Sequence, residues 1–118
     1  MDADAGAGAL NFAGTALTRG AGADTLTLKG QAADTLTLGS VGAAGTELAS
    51  VTVTTGIAAL TGDVLTAAQD YSGAASATVT GAVTLDADNA AGAINFTGTD
   101  LTGAGATLNV IVDAANTV

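Results

Sequence analysis

The chain of 118 residues is expected to be all-β, wound as a β-solenoid. Three observations carry that expectation. Short runs alternate apolar residues with Thr or Asn, the period-two mark of half-buried strands. The sequence restarts itself after 84 residues. Bulky side chains are scarce: aromatics are 3% of the chain and Ala, Gly and Thr make up more than half of it. An interior filled to native density by Ala, Val and Leu must be narrow. Disorder does not fit, because low hydrophobicity is part of its signature and the mean hydropathy here is +0.51. A β-sandwich is the alternative, although such domains usually hold a bulkier aromatic core.

The strand candidates follow in order. Ala23–Leu28 reads ADTLTL, and Ala33–Leu38 repeats it ten residues later. Val51-Thr-Val-Thr54, Thr78-Val-Thr80, Val83-Thr-Leu85 and Leu108-Asn-Val-Ile-Val112 alternate in the same way. The branched Thr and Val side chains pack well on a pleated surface. Gly, Asp and Asn separate the runs as turn residues. Pro is absent, as suits strands whose N–H groups must nearly all be paired. Asp63–Tyr71 is ambiguous: Asp63 could cap a short helix carrying Val64, Leu65, Ala68 and Tyr71 on one face. Its brevity and strand-like flanks favour strand or turn.

The repeat is explicit. Asp2–Thr18 (DADAGAGALNFAGTALT) answers Asp86–Thr102 (DADNAAGAINFTGTDLT). Skipping Arg19 and Asp24 extends the match: GAGA at 20–23 answers GAGA at 103–106, and Gln31–Leu36 answers Asp113–Val118. Residues 1–118 thus read as one solenoid segment of about one and two-fifths copies, copy one from Asp2 and copy two from Asp86. At ~21 residues per coil one copy would make about four coils.

Composition excludes several functions. With no His and no Cys there is no imidazole base, thiol nucleophile or zinc finger. Ser40, Ser50, Ser72 and Ser76 have no His to activate them, and an enzyme is not expected. Arg19 and Lys29 are the only cations against eleven acids, so no basic patch can neutralise phosphates and no nucleic-acid partner is expected. No apolar run approaches the roughly 18 residues of a membrane helix. The acidic start, Met1-Asp2-Ala3-Asp4, is unlike a secretory leader. An excised segment of a larger protein fits the repeat better than a cytoplasmic domain.

Residues 36–71 (LTLGSVGAAGTELASVTVTTGIAALTGDVLTAAQDY), SGA, and Ala82–Asp88 (AVTLDAD) form an ordered set of segments. Leu48–Thr54, Gly56–Leu60, Gln69–Gly73 and Ala82–Leu85 fall in the order seen in filamentous-haemagglutinin-like bacterial adhesin repeats (beta strand repeat proteins), which this stretch resembles. An insertion around Ala74–Thr80 departs from that pattern. The resemblance implies a right-handed parallel β-helix in a large secreted or surface-attached bacterial protein, with no catalytic residues to carry over. The expected role is a structural module of an adhesin or matrix fibre at the cell surface or outside the cell. Its expected partners are copies of itself, stacked end to end.

Two alternatives rest on particular residues. Arg19–Thr27 approaches the calcium nonapeptide G-G-x-G-x-D-x-U-x, which would make the chain a calcium-dependent S-layer or RTX-like module with Asp24 as ligand. The first Gly is Arg, however, and the second copy, Gly103–Thr107, lacks the Asp. Asp86 and Asp88 (like Asp2 and Asp4) form a carboxylate pair, but a solvated turn accounts for them and the EF-hand spacing is missing. No cofactor is expected, with calcium the one candidate. Thr pairs at 25/27, 35/37, 52/54 and 78/80 suggest an ice-binding face, yet their spacing is irregular.

Overall fold

A computed structural model describes residues 9–20, 22–87 and 92–112. All its regular structure is β: β1 (Leu10–Asn11), β2 (Thr25–Lys29), β3 (Thr35–Leu38), β4 (Ser50–Leu60), β5 (Val64–Leu65), β6 (Gln69–Val79), β7 (Ala82–Ala87), β8 (Ile94–Asn95), β9 (Asp100–Thr102) and β10 (Thr107–Val112). Every pairing between them is parallel. The chain is a β-solenoid of between four and five turns with three faces.

The first face stacks β2, the first half of β4, the first half of β6, and β8: Leu26 lies under Val51, Val51 under Gln69, and Gln69 under Ile94. The second face stacks β1, β3, the second halves of β4 and β6, and β9, through Leu10, Leu36, Ala58, Ala77 and Leu101. The third face runs from Leu17 through Val41 and Val64 to Leu85 and Val110. β4 and β6 continue around the corner between the first two faces, which joins these into one seven-stranded sheet; β5, β7 and β10 form a separate sheet of three.

Alternation decides what is buried. In β3 the pattern is Thr half-buried, Leu buried, repeated, and β7 buries Val83, Leu85 and Ala87. Leu28, Leu38, Val53, Leu60 and Val64 are fully inside. Burying a Val or Leu side chain contributes roughly 1.5–3 kcal/mol, and one interior stripe per face suffices because the coil is thin. Asp63–Tyr71 is strand and corner, not helix: β5 and the start of β6 each pair with neighbouring turns.

Corners bring backbones close. A Cβ on Gly56 would stand 2.1 Å from the Ala32 carbonyl oxygen, and one on Gly42, at φ +72°, would stand 2.0 Å from that of Leu65. Corner threonines add second hydrogen bonds to carbonyls that already accept a backbone N–H: Thr55 Oγ1 donates to Asp34 O at 3.1 Å and Thr61 Oγ1 to Leu38 O at 2.8 Å.

Residues 76–79 pair in register with 57–60, so the extra residues suspected around Ala74–Thr80 lie within a regular ladder. The irregularity lies earlier, where Thr52 pairs Asp70 but Thr54 pairs Gly73. One extra residue there bulges β6. Around the bulge, Asp70 Oδ1 accepts from Ser72 N at 3.0 Å and from Ser72 Oγ at 2.6 Å.

The two copies of the repeat share local structure but not position. Asn11 Oδ1 accepts from Ala13 N at 2.9 Å, and Asn95 Oδ1 from Thr97 N at 2.9 Å. Gly14 and Gly98 have φ of 70° and 78°. Yet Leu10 lies on the second face and its counterpart Ile94 on the first. Leu17 lies on the third face and Leu101 on the second; Thr25 lies on the first and Thr107 on the third. The repeat therefore spans a third of a turn less than the four coils expected, so copy two is rotated by one face.

Candidate functional site

The outer faces carry the residues singled out in the sequence, and they remain apart. Asp24 is exposed just before β2, and its backbone carbonyl accepts from Ala49 N at 2.8 Å. In the nonapeptide loop the Arg19 guanidinium donates to the Gly22 carbonyl. A backbone oxygen of the loop is thus occupied by a cationic side chain, opposite to what a calcium site needs. Asp86 is half-buried on β7 between Leu65 and Ile111. Asp88, Asp2 and Asp4 lie outside the described residues. Among the described residues no three His, Cys, Asp or Glu side chains come together as a metal-holding group.

The Thr pairs do not form one plane. On the first face Thr25 and Thr27 lie under Ser50 and Thr52, which sets the 52/54 pair two residues out of register with 25/27. The Thr27–Thr52 column then meets Asp70 and Asn95. Thr37 and Thr78 are on the second face, separated by Ala59, and Thr78 Oγ1 and Thr102 Oγ1 share a hydrogen bond of 3.1 Å.

A polar group inside the coil escaped sequence reasoning. Gln69 is 1% exposed. Its Nε2 donates to Val64 O at 2.8 Å and to Asp86 O at 3.1 Å, tying the first face to the third across the interior. Tyr71 Oη donates to Gln69 Oε1 at 3.1 Å. The fully buried Tyr71 ring stacks on Phe96, with centroids 4.8 Å apart and planes 11° from parallel. Burial pushes the Tyr71 hydroxyl well above the usual tyrosine range. The group is enclosed and serves architecture. The only sequence signal was a Gln at an alternating position where an apolar residue would be expected.

The uncovered apolar surface lies at the C-terminal end. Leu101 and Val110 stack on the buried Ala77 and Leu85, so they occupy inward positions, yet they are 50% and 39% exposed. Val79, Leu101, Thr102, Gly103, Ala106 and Leu108 line an open cleft of about 180 Å³ there. A second cleft of about 150 Å³, lined by Arg19, Ala23, Glu47, Leu48, Ala49 and Ala67, opens at the corner between the third and first faces. Neither cleft gathers an acid, a base and a nucleophile.

Comparison with protein-family models, with curated proteins and with solved structures finds no significant match. What identifies the chain is its architecture: a β-solenoid of stacked parallel turns, with the inward residues Leu101 and Val110 uncovered at the C-terminal end of the described residues.

Proposed function

We propose that the chain is a structural repeat module: a stiff spacer in a bacterial adhesin or matrix fibre outside the cell, able to stack end to end. The observation that supports this best is that, among the described residues, every turn from Leu10 to Val112 pairs in parallel with its neighbours on each of the three faces. Pulling such a rod apart along its axis must break the backbone hydrogen bonds that join one turn to the next on all three faces. The outward residues are mostly small and polar, which suits a spacer more than a binding face. The net charge of −9 keeps rods apart at long range and is screened beyond about 10 Å at 0.1 M salt.

The shortest extent of the molecule is 24 Å, close to what five rungs at ~4.8 Å occupy. Electron microscopy and light scattering across a salt series test the reading. The expected result is rods about one molecule wide that lengthen with salt in steps of one molecule. A strictly monomeric species at high protein and high salt would refute end-to-end stacking.

A further inference from the structure

We infer that copies of this chain dock head to tail with a rotation of one face, so that each end strand meets its own sequence counterpart. The inference rests on the end-to-end reading above and adds the register of the junction. Its occupant is a second copy of this chain. Three observations carry it.

First, strand lengths match only in the rotated register. Among the described residues the upper edge consists of β8 (two residues) on the first face, β9 (three) on the second and β10 (six) on the third. The lower edge consists of β1 (two) on the second face, the single bridge residue Leu17 on the third, and β2 (five) on the first. Stacking first face on first face would place β2 on the short β8 and leave β10 facing only Leu17. Turning the upper molecule by one face places β1 on β8, Leu17 on Leu101, and β2 on β10.

Second, the turns then coincide. The Asn11 and Asn95 side chains close the same turn, and Gly14 and Gly98 share the same left-handed backbone. The ends are also helical ramps. The lower edge climbs from the second face to the first, and the upper edge climbs from the first to the third. Their steps meet at one place only after the one-face rotation.

Third, the surfaces complement each other. In this register Leu10, Leu17, Leu26 and Leu28 of one copy stack on Ile94, Leu101, Leu108 and Val110 of the other; Leu28 and Ile94 are already buried within each copy, so the contact newly covers the exposed Leu101 and Val110 and the half-buried Leu108. They continue the interior that already joins rung to rung. Lys29 comes to lie over Ile111, an outward residue 41% exposed with Asp86 directly beneath it. A lysine stem can cover the isoleucine while its ammonium reaches toward that carboxylate. Both cations of the chain, Arg19 and Lys29, lie in the lowest turn, which forms the lower edge. The only described charge in residues 92–112 is Asp100. Head-to-tail contact of this kind is heterologous and does not close, so it propagates.

The chain has no cysteine, so introduced thiols report one contact each. Thr27 and Asn109 are exposed outward positions on β2 and β10. In the rotated register they stack about 4.8 Å apart, within disulfide reach. Thr27→Cys is mixed with Asn109→Cys, and separately with Asn95→Cys, at a salt concentration where the parent sediments as a polymer. Each mixture is then oxidised. The expected result is a heterodimeric disulfide at least tenfold more abundant for 27 with 109 than for 27 with 95. Val110→Glu, still folded by circular dichroism, is expected to weaken association at least tenfold in sedimentation velocity. Cross-linking of 27 with 95 instead, or polymer with neither cross-link, would overturn the register and leave stacking intact. A parent chain that stays monomeric throughout would overturn both.

Discussion

Replacing Gln69 by leucine tests whether the solenoid interior depends on its polar tie. The amide donates to two carbonyls on the third face and accepts from the Tyr71 hydroxyl. Gln69→Leu leaves the Val64 carbonyl and the Tyr71 hydroxyl without these partners. The Asp86 carbonyl keeps the Thr66 N–H at 3.0 Å. Each buried group left unmatched costs about 1–3 kcal/mol. Leucine recovers part of that by transfer, so a loss of about 2–4 kcal/mol is expected. Tyr71→Phe strands only the Gln69 carbonyl oxygen and should cost about 1–2 kcal/mol. In the double variant hydroxyl and amide leave together, so its loss should fall short of the sum by at least ~1 kcal/mol. Urea unfolding of the four proteins closes the cycle. In a thermal melt Gln69→Leu should lower Tm by roughly 10 °C or more for a chain of this size. The reasoning fails if Gln69→Leu is as stable as the parent, which would mean that the coil closes over leucine equally well. It fails also if the two losses add within ~0.3 kcal/mol.

Gly42→Ala should lower stability by at least ~2 kcal/mol, measured by thermal melting. It combines the cost of roughly 1–2 kcal/mol for a left-handed Cβ with a clash against the Leu65 carbonyl. Gly45→Ala shares the positive φ but meets nothing within 4 Å, and should lose only the backbone part. Tyr71 is the only tyrosine, so absorbance at alkaline pH reads it alone. Its folded pKa is raised above the unfolded value near 10. The stability it contributes is complete below pH ~10 and lost as pH rises beyond it. Phenolate absorbance should therefore appear together with unfolding, and a free titration near 10 in folded protein would contradict the burial. Chelation by EDTA should leave Tm unchanged within a few degrees. A drop of tens of degrees would mean that Asp24 or its neighbours hold a metal that supports the fold.

Local chemistry made the strands legible. The TLTL runs became β2 and β3 because alternation of Leu and Thr suits a strand with one dry and one wet side. The Asn-Phe-x-Gly segments became identical turns because Asn closes its own turn and Gly adopts the left-handed backbone. Scarce bulky residues correctly indicated a thin interior. Other features depended on how the coil closes. Successive stacked positions on the first face, Leu26, Val51, Gln69 and Ile94, are 25, 18 and 25 residues apart. No fixed period announces them, because corners of different length can join the same rungs. The bulge at β6 and the inward turn of Gln69 follow from that stacking, since the coil below fixes the face that each residue occupies. The nonapeptide-like loop illustrates the same limit. Its spacing allowed a cation, but the fold turns Arg19 onto the Gly22 carbonyl. The 84-residue repeat was written in the sequence; its rotation by one face was decided by the third dimension, where rung-to-rung hydrogen bonding, not sequence spacing, sets the phase.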